Sequence, residues 1–544
     1  MLIRITGGRV VDSVHGRDAV GDVWIEGDRV VEAPAGREPD RVVDASGCVV
    51  MAGAIDVHSH IAGGNMILSR LLLPELAASE IPSPELHPFA TARGSGAEIG
   101  ASYARMGYTT VIEPALPPAS ALATHLELAD IPVIDRGALT VLGNDDLLLG
   151  LLRDRESAQA VQDLVALSVA ASRGLGVKVI NAGGAAAFKE GAVQFALDDE
   201  VPSYGLTSRR ILTALLDAVE AIGVPHPLHV HTNNLGLPGS DDSLVATMEA
   251  AEGRRIHFAH AQFYAYAARE GGGFASAAPR ICEALAHHPN ATLDVGQVVF
   301  GQTCTISLDI LRQFVGRRGA NPKKWILVAG DAEGGGLVPF AYRRRGATSA
   351  LQFAIGLELM LLSPDPWRVL LTTDHPNGGP FTAYPRLIHL LMDKEERDRE
   401  LSTIHPVVFE RSSLAAIARE FSLAEVAIMT RAAPARLLGL ADRGHLGPGA
   451  RADVAVYRDG RDRTAMFASA ETVLKDGRTV VEAGEVVDAR AGVTLNLAVD
   501  ADAGMASRVD AYMARRFGSG LDAFGVPREA FADRDVFRTQ PCLT

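Results

Sequence analysis

Eight short apolar segments punctuate the middle of this chain, and most of them end on a polar or charged residue just before a turn: GAIDVHSHI, TTVIEP, VIDRGAL, GVKVIN, PLHVHTN, RIHFAHAQ, TLDVGQV and LLTTDHP. Stretches of helical periodicity separate them, and strand alternating with helix is the signature of a parallel sheet with crossover helices. Eight such units predict a distorted (β/α)8 barrel of the TIM type, an α/β fold, with a doubly wound open sheet as the structural competitor. In a barrel the C-terminal ends of the strands share one mouth, so the polar residues at those ends are the first place to look for chemistry.

The two ends of the chain read differently. LIRITGGRVVD, DVWIEGDRVVE and CVVM near the start, and GPGARADVAVYR with ETVLKDGRTVVEAGEVVD near the end, are β-branched runs broken by Gly and Asp turns. Residues 1–50 and 441–496 are therefore expected to form two halves of one small β-sandwich domain, with the barrel, 51–440, inserted between them and 497–544 as a C-terminal extension. The excursion from Asn65 to Gly100, rich in Pro, Gly and Ser, is expected to loop over the barrel mouth. Glycine triplets at Gly271–Gly273 and Gly334–Gly336 mark tight turns, and neither is followed by the Lys-Ser/Thr of a phosphate loop.

Candidate ligands emerge strand by strand. His58 and His60 lie two apart, so on an extended strand both imidazoles face one side and can grip one ion; alone, such a pair is also compatible with a solvent-facing strand end. Lys178 is flanked by apolar residues and must be paired, neutralised or modified if buried, unless its stem carries the amine to an edge. His231 and His260 lie nearer their strand ends than His229 and His257, which are expected to be hydrogen-bonded core histidines. His257 and His260 fall on opposite faces of an ideal strand, so at most one should enter the pocket. Asp374 closes the series, although an aspartate before a turn commonly caps a helix. Together His58, His60, Lys178, His231, His260 and Asp374 form one candidate metal-binding set, with Asn181, Asn233 and His375 as neighbours able to support it or touch substrate.

Composition narrows the remaining options. With 66 acidic against 52 basic side chains among 544 residues the net charge is −14, which argues against a general nucleic-acid or anionic-membrane role. The Arg343-Arg344-Arg345 triplet is read as a solvated surface. Cys48, Cys282, Cys304 and Cys542 are too scattered for a CxxC zinc or iron–sulfur pattern. The opening MLIRITGGRVVDS lacks a secretory signal and no apolar run is long enough to span a bilayer, so a cytoplasmic protein is expected.

The order of these residues resembles the amidohydrolase superfamily. MAGAIDVHSHIAG, MGYTTVIEPALPP, KVINAGG, HVHTNNLGLPG, FAHAQFYAY, LDVGQV, GLVPF, LTTDHPNGGPFTAYPR and GHLGPGA are similar, over nearly the whole chain, to the A subunit of formylmethanofuran dehydrogenase and to its bacterial counterpart, the A subunit of the formyltransferase/hydrolase complex. The resemblance implies zinc, as two ions bridged by carbamylated Lys178, with His58, His60 and Asp374 on one and His231 and His260 on the other. It implies hydrolysis of a formylated furan carrier to formate and free amine, with Asp374 as general base and then acid, within a hetero-oligomer containing a formyltransferase subunit and scaffold subunits. The Ala- and Arg-rich composition favours the hydrolase complex over the dehydrogenase. A cyclic-amide hydrolase of the hydantoinase or dihydroorotase kind would use the same constellation, and a silent scaffold would have lost a ligand position.

Overall fold

The computed structural model describes residues 1–72, 96–192, 194–307, 328–329, 336–523, 525–531 and 536–543. Much of the expected mouth loop and most of the second glycine triplet lie outside the described residues. All eight apolar segments contain strands: Ala54–Asp56, Tyr108–Leu116, Asp135–Leu142, Gly176–Ile180, Leu228–His231, Ile256–Phe258, Ala291–Asp294 and Val369–Leu370, here called the first to eighth barrel strands. Each pairs in parallel with the next. The ring is completed beyond the strand ends, where Ser59 bridges His375 in parallel and the His60 N–H donates to the His375 carbonyl at 2.8 Å. The fold is a distorted barrel with an added sheet domain.

The distortion has a visible cause. The strand Thr494–Ala498 runs parallel to the start of the third barrel strand, pairing Thr494 with Arg136 and Leu495 with Gly137, and carries Phe537–Pro541 on its other side. The third strand therefore pairs with the fourth only from Leu139 onward. The expected boundary after residue 496 falls inside this added strand, which hydrogen-bonds to the barrel. An alternating segment such as VTLNLAV reads the same whichever sheet it joins.

Crossover helices cover the barrel by burying one face. Ser208–Ile222 begins at Thr207, whose side chain accepts from the Arg210 N–H, and it buries Ile211, Leu212, Leu215, Leu216 and Val219 at helical spacing. The small domain is one continuous nine-stranded sheet built from Leu2–Ala52 and Val454–Val486. It curls over its own core of Ile3, Ile5, Val23, Ile25, Val50, Val454 and Leu474. The bend is at Gly7–Gly8, where the register with the neighbouring strand shifts; a Cβ on Gly8 would lie 2.7 Å from the Val50 side chain. Among the described residues, no helix is long and apolar enough to cross a membrane.

Candidate active site

The strands deliver their polar ends to one place. A cavity of about 490 Å³ opens at the C-terminal mouth of the barrel, and His60, Lys178, His231, His260, Asp374, Glu113 and Asn377 line it. Ala62, Met66, Ile67, Leu68, Val141, Ile180 and Ile306 supply an apolar wall. His58 lies just beneath, fully buried.

The candidate ligands converge. Asp374 Oδ1 is 3.0 Å from His58 Nε2 and 3.4 Å from His60 Nε2, and Lys178 Nζ is 3.5 Å from the same His58 nitrogen. His231 Nδ1 and His260 Nε2 are 2.9 Å apart. Donors that share one ion through bonds of about 2 Å lie about 3 Å from each other, so both groups have the spacing a metal needs. His260 Nδ1, on the other edge of the ring, is buried without a hydrogen-bond partner. The donor set of imidazoles, carboxylate and amine therefore fits one or two divalent ions.

Backbone geometry aims these groups. Asn181, His260 and Asp374 all have left-handed φ values, +43°, +36° and +49°, each just past its strand. Such conformations cost free energy in non-glycine residues and collect where a site over-determines them. At His260 the turn ends the period-two alternation at Phe258. Both His257 and His260 consequently reach Asp294, His257 through its ring and His260 through its N–H, although only His260 lines the cavity. Gly296, at φ +64°, lets the seventh strand pass close by, since a Cβ there would lie 2.4 Å from His260 Cβ and 3.4 Å from Asp374 Cβ.

Electrostatics sharpen the picture. Burial lowers the Lys178 amine against the pull of Asp374, Asp294 and Glu113. For His60, burial favours the neutral ring, but Glu113 and Asp374 overrule it and raise the imidazole to about 9. Burial alone would push Asp374 up; His58 and His260 instead hold it well below the ordinary carboxylate range.

The remaining sequence candidates sit beside this centre. The Asn181 N–H donates to the His231 carbonyl at 2.9 Å, and both atoms of its buried side-chain amide lack partners. Asn233 bonds Ser208, and the His375 carbonyl accepts from His60. None of the three lines the large cavity. Burial, reinforced by Arg70 and His60, pushes the His375 ring down to about 3. His229 and His257 have both ring nitrogens hydrogen-bonded in the core. The arginine triplet is exposed, with Arg344 paired to Glu400. Sequence reasoning missed Glu113, Asp294 and Asn377. The first two carried a readable signal, an acid inside an apolar strand, of the kind that singled out Lys178. Asn377, whose side-chain amide donates to Asp374 Oδ1 at 2.9 Å, carried none.

Both the sequence and the fold are matched among known proteins. The model of the amidohydrolase family aligns with residues 41–481. This chain belongs to that family. Among amidohydrolase relatives, the A subunit of the formyltransferase/hydrolase complex Fhc from Methylorubrum extorquens is 68% identical over 538 residues, 98% of each chain. Protein FwdA from Methanocaldococcus jannaschii is 38% identical over 518 residues, 90% of each chain. A chain in the crystal structure of the Methylorubrum extorquens formyltransferase/hydrolase complex with methylofuran superposes at a TM-score of 0.96, with 66% identity and complete coverage of both chains.

Proposed function

We propose that this chain is the hydrolytic A subunit of a formyltransferase/hydrolase complex, cleaving the formyl-amine of a formylated furan carrier of the methylofuran type to formate and free amine in one-carbon metabolism. The reading is carried by one observation: polar side chains from six separate barrel strands meet at a single cavity in a chain that aligns end to end with one component of that complex. The partners are then a formyltransferase subunit and scaffold subunits, and the compartment is the cytoplasm.

His58, His60 and Asp374 would hold one divalent ion and His231 and His260 a second, with Lys178 between them as a carbamate; the histidine-rich donor set suits zinc. Bound there, the ions supply Lewis acidity that polarises the formyl carbonyl and makes water a nucleophile near neutral pH. Burial favours the uncharged Lys178 amine, the form able to add CO2, making an N–C bond and releasing a proton. Asp374 is held ionised, and the Asn377 amide fixes one of its oxygens at 2.9 Å. It takes the proton of the attacking water as the new C–O bond forms. It then returns that proton to the amine nitrogen as the C–N bond breaks, leaving the free amine and formic acid, which ionises. Met66, Ile67 and Leu68 give the cavity an apolar side against which the carrier can pack.

The test is formate release from N-formylmethylofuran by the purified chain, run beside hydantoin and dihydroorotate ring opening. Deformylation with neither ring opened is expected. Ring opening without deformylation would move the chain to the cyclic-amide hydrolases.

A further inference from the structure

Two buried carboxylates in the centre are left over once the ions have been given their ligands. Glu113, on the second strand, places Oε1 2.8 Å from His60 Nδ1, while Oε2 accepts the N–H groups of Ile61 and Ala62 at 2.8 and 3.1 Å. Asp294, at the end of the seventh strand, places Oδ2 2.9 Å from His58 Nδ1. Its Oδ1 accepts the His260 N–H at 3.0 Å and the Thr372 hydroxyl at 2.6 Å, two residues before Asp374.

A carboxylate that accepts from Nδ1 locks the imidazole in the tautomer whose Nε2 carries the lone pair, and stops the ring from turning. Both Nε2 atoms face Asp374. His58 Nδ1 has a second neighbour, His229 Nε2 at 3.2 Å. Asp294 is nearer and can only accept, whereas His229 can turn its own proton toward His226 Nε2, 3.1 Å from its other nitrogen. The proton therefore sits on His58 Nδ1 and points to Asp294.

We propose that Glu113 and Asp294 are the positioning residues of the metal centre, and that they act unequally: Glu113 orients a ligand of one ion, whereas Asp294 braces ligands of both. The asymmetry follows from their contacts. Glu113 is bonded to His60 and the loop just after it, whereas Asp294 ties the first strand's His58 to the sixth strand's His260 and, through Thr372, to the eighth strand. The inference rests on the metal-dependent reading above.

The experiment is a competition titration of metal-stripped full-length chain with zinc ion against a chelator, for wild type, Glu113→Gln and Asp294→Asn, with the melting temperature of each metal-free protein recorded alongside. Glu113→Gln is expected to weaken one of two sites by roughly 10- to 100-fold, and Asp294→Asn to weaken both by that factor. If both variants bind zinc as tightly as wild type and only their metal-free melting temperatures fall, the carboxylates are structural and the inference is overturned. A wild-type chain that takes up no zinc overturns the metal-dependent reading itself, a failure distinct from the first. Should Asp294→Asn not fold, His257→Gln removes a neighbour 3.2 Å from Asp294 Oδ2 without touching a ligand. It is expected to loosen both sites by a smaller factor, and unchanged affinity there counts against the inference.

Discussion

Buried charge gathers at both ends of the barrel, and the two gatherings are built in opposite ways. At the N-terminal end, Asp135 is fully enclosed between Arg443 at 2.6 Å and Lys475 at 3.1 Å, and accepts the Val493 N–H at 2.9 Å. Asp453 is paired with Lys475 at 3.2 Å, and the Arg443 guanidinium reaches Thr110 on the second strand at 2.9 Å. Fixed cations from the small sheet and the segment before it thus clamp barrel strands two and three and the C-terminal strand. At the mouth, Glu113, Asp294 and Asp374 face imidazoles, and Lys178 is pushed toward its neutral form. Arg70, the nearby arginine, is committed to Glu127 at 2.6 Å. Among the described residues, one end is neutralised by arginine and lysine; at the other, under the proposed function, a metal ion would complete the balance.

That contrast can be broken in four ways. Asp374→Ala is expected to cut deformylase turnover by roughly 10²- to 10⁴-fold, read as formate release. Full turnover with metal still bound would remove its role as proton carrier. Asp135→Asn leaves two buried cations short of a partner and is expected to cost about 3–5 kcal/mol of stability, measured by denaturant unfolding, with metal content unchanged. Lost metal would mean that the two ends are not independent.

Lys178→Ala is expected to cost one bound ion and lower turnover by roughly 10- to 100-fold, measured by elemental analysis beside the assay; unchanged stoichiometry would contradict a bridging role. The smallest effect is in acid. Burial would raise the Asp135 carboxyl, but Lys475 and Arg443 hold it far below the ordinary range. Its stabilisation is therefore complete above its unfolded pKa and lost as pH falls from about 4, at about 1.4 kcal/mol per pH unit. Asp135→Asn should remove that part of the slope, and an identical acid profile in the variant would place the acid sensitivity elsewhere.

The eight barrel segments were readable because each is a short apolar run bounded by turn residues, and because strand order in a barrel follows chain order. His58, His60, Lys178, His231, His260 and Asp374 stood out as polar groups in or just past those runs. Asp294 and Glu113 carried the same kind of mark, yet TLDVG and VIEP look like any strand ending in an acid until the histidines they hold are seen across the barrel. The expectation that at most one of His257 and His260 enters the pocket agrees with the cavity lining, which includes His260 and not His257, although it is a left-handed residue past Phe258 that sets the direction of that side chain. The strand at Thr494–Ala498 was beyond reach for a further reason. Local pattern specifies a strand but not its partner, and this one wedges between neighbours more than three hundred residues upstream.

The central claim is that the mouth of this barrel is completed by metal. Elemental analysis of the chain, purified at full length without added chelator, tests it directly. About two divalent ions per chain are predicted, falling when His58 and His231 are both replaced by alanine. A chain free of divalent metal that still releases formate at the wild-type rate would contradict the account.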